Sequence, residues 1–296
     1  MSEGFEEQSG EQITQRSASN LALSFIALEK PRRRAMATLY AFCREVDDVA
    51  DEDASPLESR RLALQDWRED VQKACEGGSP TKSLVCELQP VIEKYGLQFE
   101  HFNELIVGLE SDLEQDRIET FEDLDLYCYR VASAVGLLSV EVFGYCDPAC
   151  QQYMVELGKS LQYTNILRDI GNDAERGRIY LPQEAMEKYG VDPRSILSGK
   201  YSTAFHNLAA EMSVRARCHY QRTAELLPEG DRRSMVAGEC MAAVYWRILR
   251  VMEKSRFRAV LDPVPFKLSK FTKLSILFGV WTRSFLGSSA PNYGRD

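Results

Sequence analysis

The chain has 296 residues, 44% of them hydrophobic, and a formal net charge of −9. That apolar content is enough for a sizeable core, so wholesale disorder is excluded. The acidic balance excludes a general nucleic-acid binder, because affinity dominated by phosphate contacts needs a basic footprint, and no basic run here outweighs the acidic field.

The first residues, MSEGFEEQSGEQ, are polar and acidic with no apolar stretch, so they do not read as a secretory signal, and a cytoplasmic location is expected. Residues 1–12 and 287–296 are expected to be flexible tails of one helical domain spanning 1–296. Strand signals are nearly absent, whereas apolar residues recur at i, i+3, i+4 and i+7 between Gly, Pro, Ser and Asp punctuation, which predicts an all-α fold. Pro31 suits the first turn of a helix running to about residue 52, and Ser55-Pro56 breaks it and starts the next over about 57–75. Gly77-Gly78-Ser79-Pro80 is a loop. Further helices are predicted over about 83–95, 99–115, 121–143, 149–173, 202–227 and 231–255. The irregular interval 176–200, with a short helix over 183–189, is placed to cap the mouth of a cavity.

The last apolar segment, 266–286, is punctuated by Lys267, Lys270, Lys273 and Arg283. It has two readings: a basic amphipathic helix in peripheral contact with the inner face of an anionic membrane, or a terminal helix packed on the core with its lysines in water or aimed into the cavity. No stretch reads as the run of about 20 apolar residues that crosses a bilayer. Arg32-Arg33-Arg34 has two equal readings as well, a solvated first helical turn or a ligand contact. The eight cysteines are scattered, without zinc spacing, and read as reduced core residues.

Two acidic clusters stand out: Asp47-Asp48-Val49-Ala50-Asp51, and Asn165-Ile166-Leu167-Arg168-Asp169 continuing to Asp173. Asp47 and Asp51, like Asp169 and Asp173, are four apart, so each pair shares one helix face. Hard oxygen ligands of this kind suit magnesium, which is typically bound through one or two carboxylates plus phosphate oxygens of a ligand. A diphosphate neutralised by cations is a competent leaving group from an allylic carbon, and Arg44 and Arg168 add phosphate recognition beside each pair. Either cluster alone is better explained by a solvated helix of an acidic protein. Together they point inward, because each follows a very apolar stretch, 35–43 and 161–167. Between them, Tyr127, Val131, Ala132, Val135, Gly136 and Ser139 mix apolar with small residues, which either make room for a ligand or let two helices pack closely; composition favours close packing.

At these residues the sequence resembles the squalene/phytoene synthase family, the head-to-head trans-prenyltransferases. Residues 40–51 (YAFCREVDDVAD) and 161–173 (LQYTNILRDIGND), continuing through 177–182 (GRIYLP), resemble its two aspartate-rich motifs, and 127–136 (YCYRVASAVG) is similar to the segment between them. The resemblance implies a single isoprenoid-synthase-type helical domain around a central cavity. It implies that Asp47, Asp48, Asp51, Asn165, Asp169 and Asp173 hold two to three magnesium ions on two prenyl diphosphates. Tyr40, Arg44 and Arg168 would contact diphosphate, with Ser19 and Lys270 or Lys273. Tyr127, Val131, Ala132, Gly136, Gln162 and Tyr245 would line the path of the prenyl chains. Asn20 stands where a second serine is usual in the family. The wording of 42–48 and 130–136 is most similar to bacterial members that make presqualene diphosphate. The expected reaction is therefore condensation of two farnesyl diphosphates to presqualene diphosphate, with onward conversion to squalene or dehydrosqualene as an extension. Phytoene synthesis from two geranylgeranyl diphosphates is the alternative. No dinucleotide fingerprint is present, so NADPH is not expected. A non-catalytic helical assembly factor of the same fold is the reading from another class, and the completeness of both motifs speaks against it.

Overall fold

The computed structural model describes residues 24–286, apart from 53, 115, 116 and 265, together with Tyr293 and Gly294. Among the described residues the regular structure is helical, joined by an isolated bridge between Arg117 and Ile179. Helices α1 (Lys30–Asp51), α2 (Leu57–Cys75), α3 (Ser83–Tyr95) and α4 (Phe99–Glu114) match the predicted elements closely. Pro31 sits in the first turn of α1, where its missing N–H costs nothing. Along α1, Ala35, Leu39, Phe42, Val46 and Ala50 form the buried stripe. Phe42, completely buried, meets Trp67 of α2 and Phe102 of α4 edge-on, with ring centroids 5.7 and 5.3 Å away.

The helix predicted over 121–143 is interrupted. It forms α5 (Phe121–Cys128), opened by a reciprocal cap between Thr120 and Asp123, then a π-helical turn (Tyr129–Ser133), then α6 (Ala134–Phe143). Two glycines on flanking helices leave room for that wider turn. A Cβ on Gly108 of α4 would lie 2.7 Å from Val131 Cγ1, and one on Gly158 of the next helix would lie 2.6 Å from the Ser133 Cα. The Ser133 hydroxyl donates to the Val155 carbonyl at 2.7 Å. This segment corrects the earlier reading on one point: by length and composition it is apolar enough to cross a bilayer. It packs instead between α4 and α7, so its apolarity belongs to the core.

Helix α7 (Ala149–Glu175) is the spine, about 40 Å long at 1.5 Å per residue. Short helices α8 (Gln183–Tyr189) and α9 (Pro193–Leu197) follow; α9, five residues capped by Asp192, was not anticipated. Then come α10 (Thr203–Leu226), α11 (Val236–Lys254) and α12 (Lys270–Leu286). Helix α11 begins later than predicted because Asp231 is committed elsewhere: its carboxylate accepts from the backbone N–H groups of Cys146 and Asp147, tying down the α6–α7 loop. On the face of α7 that meets α10, the hydroxyls of Thr164 and Tyr220 lie 3.1 Å apart, and His219 Nδ1 is 2.7 Å from the Glu156 carboxylate. Gly171 lets a following turn, Ala259–Leu261, lie against α7, since a Cβ there would sit 2.3 Å from the Asp262 carbonyl.

All eight cysteines are free; Cys128, Cys150 and Cys240 are buried as expected of core residues, whereas Cys86, Cys146 and Cys218 are exposed, which corrects that reading. The expectation of a flexible C-terminal tail needs correction at two residues. Tyr293 is 1% exposed, donates its hydroxyl to the buried Glu239 and packs on Tyr220, while Gly294, at φ 77°, crosses the Tyr220 backbone. The remaining predicted tail residues, 1–12 among them, lie outside the described residues.

Candidate active site

Helices α1, α4, α5, α6, α7 and α11 line a cavity of about 620 Å³. Helix α1 contributes Tyr40, Cys43, Arg44, Asp47 and Asp51, which recur at helical spacing along one face. Helix α7 lines it from Met154 to Asp173, roughly 28 Å at 1.5 Å per residue. Along that length the lining changes character: Met154, Leu157, Gly158 and Leu161 are apolar or small, Gln162 and Asn165 are amides, and Asp169 and Asp173 are acids. The opposite walls are Leu105, Leu109 and Asp112 of α4, and Ala237, Gly238, Met241 and Tyr245 of α11. The π-helical turn and α6 add Val131, Ala132, Val135 and Gly136. Small residues there serve both uses weighed from the sequence, since Gly136 faces the cavity and a Cβ on it would also come within 2.9 Å of the Met154 carbonyl.

The polar end is dense in charge. Arg44 bridges to Asp47 at 3.0 Å and to Asp48 at 2.5 Å. Asp51 takes Arg178 at 2.6 Å and Arg176 at 3.1 Å. Arg168 forks onto its neighbour Asp169 at 2.8 and 2.6 Å, with its guanidinium 5.8 Å from the Tyr245 ring centre. Burial would raise the Asp51 carboxyl, but the hydrogen bond and charge of Arg178, then those of Arg176, hold it below the usual carboxylate range. Asp47 and Asp173 go the opposite way. Burial and the Asp51 charge push Asp47 up to about 6 against Arg44, and burial and the Asp169 charge push Asp173 up to about 7 against Arg178 and Arg176. These are carboxylates crowded together without enough protein cation to balance them.

Asn165 carries a second sign of a missing partner. Its Nδ2 donates to Gln162 at 3.3 Å, while its buried Oδ1 has no hydrogen-bond partner. An unsatisfied buried acceptor costs about 1–3 kcal/mol, and a cation beside it would remove that cost. The donor set, carboxylates from α1 and α7 plus one amide oxygen, fits magnesium. Among the described residues no group of three or more His, Cys, Asp or Glu already forms a cage. The chemistry of magnesium agrees with that, because it takes many of its oxygens from water and phosphate.

The cavity therefore gathers Tyr40, Arg44, Asp47, Asp51, Asn165, Arg168, Asp169 and Asp173 at its walls, with Tyr127, Val131, Ala132, Gly136, Gln162 and Tyr245. Other residues named from the sequence lie away from the cavity wall. Asp48 does not line it; one residue on from Asp47 it is turned about 100° around the helix, and it lies exposed against Arg44. Lys270 is exposed on α12, and Lys273, though near enough to Arg168 for burial and that charge to lower its pKa, is likewise not at the wall. Ser19 lies outside the described residues; Ser24, buried, lines the cavity.

Residues not singled out from the sequence complete the site. Arg176 and Arg178 come from the turn after α7 and reach back across to α1. Asp112 accepts from the Tyr127 hydroxyl at 3.1 Å, and Tyr127 stacks on Tyr180 with centroids 5.3 Å apart. Burial raises the Asp112 carboxyl to about 7 despite the hydrogen bonds of Tyr180 and Tyr127. Its signal was available: Leu105, Leu109 and Asp112 are one helical stripe, and the acid stands where the apolar face continues.

A helical bundle around a long cavity, apolar at one end and crowded with carboxylates and guanidinium groups at the other, defines an enzyme of the isoprenoid-synthase class of folds. Comparison with known proteins narrows the class. A sequence model described as squalene/phytoene synthase matches residues 14–272, and the chain belongs to that family of prenyltransferases. It is 39% identical over 254 residues to a presqualene diphosphate synthase of Rhodopseudomonas palustris, covering 84% of this chain and 88% of that protein. It is 31% identical over 276 residues to a 15-cis-phytoene synthase of Synechocystis, covering 87% and 80%. A crystal structure of a dehydrosqualene synthase in complex with ligand superposes with a TM-score of 0.83 at 27% identity, covering 94% of this chain and 95% of that one.

Proposed function

We propose that this chain joins two farnesyl diphosphates head to head, making presqualene diphosphate with magnesium as the divalent ion. The observation that carries the reading is the pair of oxygen-rich helix faces, on α1 and α7, at one end of a cavity whose other end is apolar. The higher identity to a relative named presqualene diphosphate synthase than to one named phytoene synthase supports the C15 substrate.

In the reaction the C1–oxygen bond of one substrate breaks and diphosphate departs. C1 then bonds to the C2–C3 double bond of the second substrate, and closing the cyclopropane releases one proton. Bound magnesium, held by Asp47, Asp51, Asn165, Asp169 and Asp173, would supply Lewis-acid neutralisation of the departing diphosphate. The chain's own groups do the rest. Arg44, Arg168, Arg176 and Arg178 are now paired with Asp47, Asp48, Asp51 and Asp169, and phosphate oxygens can take the place of those carboxylates on the same guanidinium donors. Leu105, Leu109, Leu157 and Leu161 hold the prenyl chains and keep water from the carbocation. The stacked Tyr127 and Tyr180, fixed by Asp112, form a rigid wall beside them.

The test is product identification after incubating purified protein with farnesyl diphosphate and magnesium, without and with NADPH. Presqualene diphosphate without NADPH is the expected result; squalene or dehydrosqualene would mean that the intermediate is carried onward. Turnover of geranylgeranyl but not farnesyl diphosphate would replace the substrate assignment, and turnover of neither would end the enzymatic reading.

A further inference from the structure

Helix α12 has two apolar faces, one of which packs on α11. Ile276, Leu277 and Val280 pack inward on Val236, Cys240 and Ala243 of α11, with Ala27 at the edge of the seam. The other face carries Phe271, Leu274, Phe278 and Trp281, which are 87, 52, 67 and 44% exposed. Their spacing of three, four and three residues puts them on one stripe about three turns long. All the exposed Phe and Trp side chains among the described residues are on this one helix, so the stripe is a concentrated feature rather than ordinary scatter. Ile26, 59% exposed, sits on the adjoining turn, whose Leu28 carbonyl is held by exposed Arg33 at 2.9 Å.

Charge indicates what covers this stripe. In a chain of net charge −9, residues 263–295 contain no Asp or Glu, and their charged residues are Lys267, Lys270, Lys273, Arg283 and Arg295. Lys267, Lys270 and Arg283 are exposed, flanking the aromatic stripe at both ends. A second copy of the chain docking face to face would bring this basic cluster onto its own image, which opposes a two-fold contact. An anionic lipid surface accepts both parts at once, Phe, Leu and Trp at the acyl boundary and lysines among the headgroups.

We propose that α12 is a membrane-surface docking helix that lays its Phe271, Leu274, Phe278 and Trp281 face into a bilayer rich in anionic phospholipid, with Lys267, Lys270 and Arg283 on the headgroups. Docking is in-plane and peripheral, because the opposite face of the helix remains packed on α11. It places the cavity alongside the lipid: the first turn of α12 brings Lys273 within electrostatic reach of Arg168 at the polar end of the site. A substrate with a long apolar tail and an equally apolar product would then exchange with the bilayer instead of with water.

The experiment is independent of catalysis. Full-length protein without substrate is mixed with vesicles of pure phosphatidylcholine or of equal parts phosphatidylcholine and phosphatidylglycerol, and bound protein is measured by sedimentation and by tryptophan emission. Binding to the phosphatidylglycerol vesicles with a blue-shifted emission is expected, with much weaker binding to pure phosphatidylcholine. The Phe271→Ser/Phe278→Ser variant should bind at least about tenfold less, while retaining its thermal melt and its turnover of detergent-dispersed substrate. Removing the emission shift by Trp281→Phe locates the contact on α12. Failure of the wild-type chain to bind, or equal binding by the double-serine variant, would overturn the proposal. So would a dimer by light scattering that the same variant converts to monomer, which would assign the stripe to self-association.

Discussion

The acidic faces of α1 and α7 have the same internal spacing, yet the fold treats them differently. On α1, Asp51 is clamped by two arginines and its carboxyl is held low. On α7, Asp169 is taken by the adjacent Arg168, and Asp173 is left in a crowd that raises it to about 7. The arginines responsible follow the second cluster in sequence but pair with the first, so the α7 side supplies cations to α1 and keeps the greater carboxylate strain itself. Asp51 is thus balanced by protein cations, whereas Asp47 on the same helix and Asp173 on α7 are both raised by burial and a neighbouring carboxylate. Several measurements would break or sharpen this contrast.

The largest effect is expected from losing either face outright. Asp51→Asn and Asp169→Asn should each lower kcat/KM by about a thousandfold or more, with circular dichroism unchanged, because each removes a charge that holds the ion neutralising the leaving group. Near wild-type rates in either would remove that carboxylate from the site. Chelation with EDTA should likewise abolish turnover, with recovery on adding magnesium.

Next in size is the orphaned amide. Asn165→Ala should raise the magnesium concentration for half-maximal rate by about tenfold. It should leave the melting temperature of the metal-free protein unchanged or raise it, because the lost Oδ1 had no partner to begin with. A clear fall in melting temperature would make Asn165 a structural residue instead.

The arginine clamp should show a graded response. Arg178→Gln is expected to raise KM for the diphosphate more than Arg176→Gln does, since Arg178 is closer to Asp51, at 2.6 against 3.1 Å, and less exposed, at 21% against 42%. Steady-state kinetics of the two variants decides the order.

The smallest effect carries the sharpest sign. Asp173 binds its proton more tightly folded than unfolded, so its ionisation costs stability increasingly from about pH 4 to about pH 7 and by a constant amount above. Asp51 binds its proton less tightly when folded; its contribution is fully present above the ordinary carboxylate range and is lost as the pH falls through its depressed pKa. In EDTA at pH 8, Asp173→Asn should therefore raise the melting temperature and Asp51→Asn lower it. At pH 4, where folded Asp173 is already protonated, the Asp173 effect should vanish. Shifts of the same sign at pH 8 would refute the contrast.

How much of this was legible in the chain follows from how far each interaction reaches along it. Helix boundaries such as 57–75 and 183–189 rest on punctuation and on contacts three or four residues apart, and they emerged as read. The pairs Asp47 with Asp51 and Asp169 with Asp173 are also local patterns, which is why they could be named. Asp48 was named because it stands in the motif that carries the family resemblance, and helix rotation alone turns it from the cavity wall. Asp112 stands on a stripe with Leu105 and Leu109, and Arg178 lies within 177–182, but that these two face the site follows only from where α4 and the turn after α7 arrive.

By itself, then, the sequence determined the periodic elements and the residue types that one helix face presents, since both arise from backbone geometry over a few positions. Only the tertiary structure decided which faces meet, that 121–143 must widen into a π-helical turn between Gly108 and Gly158, and which arginine neutralises which aspartate. Those outcomes depend on packing and charge between residues as distant in sequence as Asp51 and Arg178, where the distance along the chain carries no information about the distance in space.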